Sequence, residues 1–144
     1  MAKRILMPLD QTPAAESIVP IVADLARGAG ATVRLLHVAP VPDAIIDHGR
    51  VIAYADQETS RLESEGADYL ASIEVLLEGV PVECAIRFGT PADEILQDAE
   101  EFGADLIAVT TGCRSVLTRA LLGSVAEEVV QRATIQVLLL NAPD

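Results

Sequence analysis

The stretch Ile107–Ala126, IAVTTGCRSVLTRALLGSVA, decides how the chain folds. With Leu106 before it, it opens on a continuously apolar run, the pattern of a central strand buried on both faces. A short polar loop with Gly112 and Arg114 follows. Ten residues past Cys113, the pair Gly123-Ser124 opens the next helix. A loop after a parallel strand, faced by a helix N-terminus, presents unpaired backbone N–H groups and the positive end of a helix dipole. Such an arrangement holds anions, phosphate above all.

Outward from that stretch, strand and helix signals alternate along the whole chain. Arg4–Leu9 (RILMPL) reads as a short buried strand. Thr12-Pro13 then supplies an N-cap and a proline at the first helical position. Ile18, Ile21, Val22, Leu25 and Ala29 recur at helical spacing, Gly28 and Gly30 end that helix, and Pro20 inside it predicts a kink or a loosened turn. Thr32–Val38 is the second strand. A long loop with Pro40, Pro42 and Gly49 leads to a helix marked by Leu62, Gly66, Tyr69, Leu70, Ile73 and Leu77. Val80–Ile86 alternates strictly and contains Pro81, the signature of an edge strand. Thr90-Pro91-Ala92-Asp93 repeats the Thr-Pro helix start with an acidic residue, a capping-box variant. Leu106–Val109 is the fourth strand, Gly123–Arg132 the fourth helix and Ile135–Leu140 (IQVLLL) the fifth strand.

Five strand–helix alternations predict an α/β fold, one doubly wound parallel sheet of five strands with helices on both faces. Right-handed crossovers then place the first and fourth strands side by side at the centre. Ligands of such sheets bind beyond the strand C-termini, where strand order reverses. Here that crevice is expected between Asp10, Val38-Ala39 and Thr110–Ser115.

Composition narrows the function. The 144 residues suit a single domain spanning 1–144, large enough to bury a core unaided. Apolar residues make up 51% but aromatics only 3%, so the core is expected to be aliphatic and base-stacking surfaces are scarce. A net charge of -12 repels nucleic acid and anionic membrane, and neither is an expected partner. The N-terminal MAKRILMPLD runs straight into a strand without a signal-peptide core, and no apolar run approaches a membrane span. A soluble, cytoplasmic protein is expected. Cys84 and Cys113 are too few for a disulfide framework or a zinc site, and His37 and His48 lack a third metal ligand.

ILMPLDQTPAAES, TVRLLHV, GTPADEIL, ADLIAVTT and above all RALLGSVAEEVVQRATIQVLLL resemble the universal stress protein family, across essentially the full chain. The resemblance implies strand order 3-2-1-4-5, a homodimer and, in one branch, adenine-nucleotide binding by ATP or AMP, with Mg as a candidate companion ion. Pro8, Asp10 and Val38 would frame base and ribose. Thr110, Thr111, Gly112, Cys113, Arg114, Ser115 and Val116, with Gly123, Ser124, Val125 and Ala126, would hold phosphates. That branch carries glycine, two residues, glycine, nine residues, then Gly-Ser or Gly-Thr. Counting back from Gly123-Ser124, both upstream glycine positions are substituted, by Thr110 and Cys113, and Gly112 sits one place early. A Cβ at each narrows the cradle, and a strained backbone there costs roughly 1–3 kcal/mol. A nucleotide-free variant working through protein–protein contacts with a client is therefore the alternative.

Single residues carry competing readings. Asp10 suits a ribose or adenine hydrogen bond, and equally a turn. Arg114 is a phosphate candidate, while Arg119 reads as a solvated or dimer-contact arginine. Cys113 beside Arg114 reads as a small residue before a redox handle. His37 is expected as a packed or partly exposed strand residue. Neither a G-x-x-x-x-G-K-[ST] loop nor a G-x-S-x-G elbow occurs, no nucleophile, base and orienter converge, and no catalysis is expected; a slow ATPase is the weakest reading. In the implied order the fifth strand is an edge, yet Ile135, Val137, Leu138, Leu139 and Leu140 are apolar. Such an edge invites cover by the same strand of a second copy around a two-fold axis.

Overall fold

In chain order the elements are β1 (Arg4–Pro8), α1 (Pro13–Glu16), α2 (Val19–Ala29), β2 (Thr32–Ala39), β3 (Ile45–Asp47), β4 (Arg50–Ile52) and α3 (Tyr54–Glu74). They continue with β5 (Val82–Phe88), α4 (Pro91–Phe102), β6 (Leu106–Thr110), a helical stretch at 125–132 called α5, and β7 (Gln136–Leu140). The structure, a computed structural model, describes residues 3–41, 45–47, 50–52, 54–110 and 125–140, the part between 45 and 56 through its backbone.

Five strands form one parallel sheet in the order β5-β2-β1-β6-β7, which is the expected 3-2-1-4-5 counted along the sheet strands. Alternation along the strands builds two cores. Ile5, Met7, Val33 and Leu35 face one side and pack with Val19, Val22 and Ala26 of α2 and Leu70 and Ile73 of α3. Leu6, Leu36, Ile107 and Val109 face the other and pack with Ile95, Ala99 and Phe102 of α4 and Val129 of α5. The buried residues are almost all aliphatic, as the low aromatic content requires.

The expected weakness at Pro20 is a complete break. α1 ends at Glu16, and α2 starts afresh at Val19 with Pro20 in its first turn, where a missing N–H costs nothing. Thr12 caps α1 by accepting from the Ala15 N–H at 3.2 Å. Thr90 sits at the equivalent place before α4 without a side-chain cap bond. The edge strand falls at Val82–Phe88, two residues later than expected. Pro81 has no N–H to give and contributes only its carbonyl, to the Val33 N–H. The segment expected as a plain loop holds an antiparallel hairpin, β3 against β4, in the register Ile45↔Ile52, Ile46↔Val51, Asp47↔Arg50. Its signal was a pair of β-branched runs separated by His48-Gly49.

At the foot of the sheet, the Asp105 carboxylate accepts from the Lys3 and Arg4 backbone N–H groups, and the Asp105 N–H returns a bond to the Arg4 carbonyl. The start of β1 is thereby clamped to the start of β6.

Candidate functional site

At the other end of the sheet, the C-termini of β1, β2 and β6 open on a crevice of about 270 Å³. Pro8, Leu9 and Asp10 enter from β1 and the turn after it, Leu36 and Val38 from β2, and Val109 and Thr110 from β6. Ala15 of α1, Pro91 and Ile95 of α4, and Val125 and Ala126 of α5 close it. The place follows from topology: β2 lies on one side of β1 and β6 on the other, so the loops leaving them diverge. The lining is apolar apart from Asp10 and Thr110, a surface for a flat or sugar-like group with a few fixed polar contacts.

Of the residues singled out in the sequence, the fold brings Pro8, Asp10, Val38, Thr110, Val125 and Ala126 to this one crevice. Thr111, Gly112, Cys113, Arg114, Ser115, Val116, Gly123 and Ser124 lie outside the described residues, as do Arg119 and His48. The sequence reading missed Leu9, Ala15, Leu36, Pro91, Ile95 and Val109. Leu36 shares a strand face with Val38, and Ile95 lies one helical turn after Pro91, so both spacings were available.

Asp10 anchors the turn into α1. Its Oδ1 accepts from the Thr12 N–H at 3.1 Å and the Thr12 hydroxyl at 2.6 Å, while the residue stays exposed at the crevice. The turn reading of Asp10 is observed, and it leaves the carboxylate facing the opening. Gln11 beside it has φ +66°, a left-handed backbone rare for a residue with a side chain. His37, half-buried on β2 as expected, donates from Nδ1 to the Leu9 carbonyl at 3.1 Å, and its Nε2 lies 3.4 Å from the Gln11 amide nitrogen. Its ring meets Tyr69 edge-on at 6.2 Å. Burial, with help from the Glu16 and Asp10 carboxylates, pushes the Tyr69 phenol above its ordinary range.

The α4 wall is held by charge. Arg87 of β5 binds Glu94 at 2.9 Å, Asp98 at 3.3 Å and Glu101, three acids on successive turns. Arg34 of β2 places Nε 3.1 Å from Asp98 Oδ2, an ion pair without hydrogen-bond alignment. Asp98 is fully buried, and burial raises its carboxyl above the usual range against the pull of both arginines. Arg34 and Arg4 each lie 5.3 Å from the centre of the Phe102 ring.

Elsewhere the chemistry is sparse. A wider hollow of about 500 Å³ between α4 and α5 sits at the opposite ends of the strands, away from the divergent loops. Cys84 packs against Glu74 at 3.4 Å; partial burial and that carboxylate push its thiol up to about 11, far from a reactive thiolate. Among the described residues no cluster of His, Cys, Asp or Glu could hold a metal, and no helix is long and apolar enough to cross a membrane. β7 ends the sheet, with Leu139 45% exposed and Val137, Leu138 and Leu140 half-buried; Ile135 precedes the strand.

The sequence profile of the Universal stress protein family matches residues 1–141. Universal stress protein G of Shigella flexneri is 30% identical over 98% of this chain and 100% of its own. Universal stress protein MJ0531 of Methanocaldococcus jannaschii is 39% identical over 84 residues, 57% of this chain and 49% of that protein. The solved structure of the hypothetical protein MJ0577 superposes with a TM-score of 0.83 at 28% identity, covering 99% of this chain and 97% of that one. Two more distant structures share the fold: a universal stress protein in complex with cAMP (TM-score 0.68, 17% identity, 97% of each chain) and one from Archaeoglobus fulgidus in complex with dAMP (0.62, 20%, 96% and 97%).

Proposed function

We propose, because this chain belongs to the universal stress protein family, that its crevice binds an adenine nucleotide and that the protein is a regulatory binding module, not an enzyme. One observation carries the reading: Pro8, Asp10, Val38, Thr110, Val125 and Ala126, far apart in sequence, line a single crevice at the strand C-termini. Two relatives of the same fold are complexes with cAMP and dAMP, which supports an adenine nucleotide in particular. The apolar walls suit a base, and the exposed Asp10 carboxylate suits ribose hydroxyls. Phosphates, with Mg where ATP is bound, fall to Thr110 and the segment Thr111–Val116 and to the helix start Gly123–Ala126. The module works as a homodimer through β7, in the cytoplasm, with a protein client and neither nucleic acid nor membrane as partner.

A second reading has its own observation. Thr110, in place of the first motif glycine, puts a half-buried residue with a side chain among those that line the crevice. A nucleotide-free variant acting through protein contacts is the reading it favours.

Isothermal titration with Mg-ATP, AMP and, as control, GTP separates the two. Saturable binding at micromolar levels, weakened in Asp10→Ala and lost in Gly123→Val, is the expected result. No heat at millimolar ATP or AMP from folded protein overturns the nucleotide reading.

A further inference from the structure

We infer that His37 is a positioning residue for the crevice: a proton-dependent latch, on the far face of the sheet, that holds the β1–α1 turn in the shape presenting Asp10. The effect on ligand affinity rests on the nucleotide reading above, while the latch itself stands without it.

Side chains alternate along β2, so Leu36 and Val38 line the crevice while His37 points to the α3 side. The ring has little room to retreat: it meets Tyr69 edge-on, and Gly66 of α3 lies so close that a Cβ there would come within 3.1 Å of its Cδ2. Nδ1 faces the Leu9 carbonyl, which can only accept, so Nδ1 carries the proton. In the neutral ring Nε2 then keeps its lone pair and accepts from the Gln11 side-chain amide. His37 therefore grips the residues immediately before and after Asp10. The second grip falls on Gln11, whose left-handed backbone needs an external hold.

A second proton on the ring turns Nε2 into a donor facing another donor, and the Gln11 amide must let go or turn over. Histidine is the side chain whose ordinary titration range falls between about pH 5 and 8. Among the described residues, the Asp10 and Glu16 carboxylates are the charged groups that act on Tyr69 beside the ring; α3 also contributes the Tyr69 phenol and, farther along, the Glu74 carboxylate at Cys84, and β5 the apolar Ile86. Arg34 and Arg87 lie on the opposite face, against α4. Loss of the Gln11 grip frees the turn and with it Asp10, so the neutral form is the tighter binder.

The test has two arms. In ligand-free protein, NMR follows the His37 ring and the backbone amides of Gln11 and Thr12 from about pH 8 to 5.5. The amides are expected to move with the ring; a ring that titrates while they stay still, or that keeps one charge state throughout, overturns the latch. In the second arm, titration with cyclic AMP, whose single phosphate charge is constant over this range, is expected to weaken roughly three- to tenfold on acidification, the equivalent of one net hydrogen bond. His37→Phe flattens the profile, and so does Gln11→Gly, which accepts the left-handed backbone and keeps the fold. Identical profiles in all three proteins overturn the role in affinity. Amides that track the ring in a protein that binds no nucleotide sink the nucleotide reading and leave the latch standing.

Discussion

Arg87 on the edge strand β5 and Asp98 on α4 stand 3.3 Å apart across the boundary between sheet and helix layer, with the carboxylate fully buried. The arginine also reaches Glu94 and Glu101, so one guanidinium fastens three turns of the helix whose first turn walls the crevice. Taking such a pair out of water costs several kcal/mol per ion, and only good partners offset it. Arg87→Ala leaves Asp98 with Arg34 alone and is expected to cost about 3 kcal/mol of unfolding free energy in urea titrations. Asp98→Asn keeps the shape and removes the buried charge, and its cost is expected to stay below half of that.

The same carboxyl sets a pH slope. Burial raises it above its ordinary range, so between that range and the raised value the folded protein holds a proton that the unfolded chain has released. Stability from this group is complete at low pH and is lost as pH rises through that window. The stability of wild type relative to Asp98→Asn is expected to fall across the window and then level off. A flat difference in urea midpoints against pH contradicts it.

Cys84 is expected to resist alkylation. With its thiol pushed up to about 11, the thiolate is scarce at pH 8, and iodoacetamide should label it roughly a hundredfold more slowly than an ordinary cysteine. Peptide mapping by mass spectrometry distinguishes it from Cys113. Glu74→Gln removes the carboxylate beside the sulfur and should speed the labelling, with the remainder of the delay due to burial.

Among the described residues no strand pairs with the outer side of β7, and Leu139 is exposed to solvent. If a second copy covers that edge, Leu139→Lys inserts a charge into the seam, an established device against edge pairing. Sedimentation should then show a dimer for wild type and a monomer for the variant, both folded by circular dichroism. A wild-type monomer at micromolar concentration rules out the homodimer.

Local chemistry announced most of this fold. Thr12-Pro13 and Thr90-Pro91 marked helix starts, the apolar run at Leu106 marked a buried strand, and Pro81 marked the edge. What stayed illegible depends on partners distant in sequence. His37 looked like an ordinary strand residue, because Leu9, Gln11 and Tyr69 meet it only once β1 and α3 are packed on β2. Arg87 and Arg34 gave no sign that they would converge on Asp98, since a charged residue on a helix is solvated far more often than buried. Asp10 was legible as a turn residue, and the turn leaves it exposed at the crevice.

The clamp between Arg4 and Asp105 spans 101 positions of chain. β1 is the middle strand of the sheet, yet the neighbour on one of its sides, β6, is made only after β2 and β5. A chain emerging from the ribosome can pair β1 with β2, and β2 with β5, early and must then wait, with Ile5, Leu6 and Met7 on an open edge, for β6 to arrive. Such long-range closure slows folding and leaves the waiting half prone to sticking. Holding that half apart from its fellows during synthesis is therefore a demand that the strand order itself places on the cell.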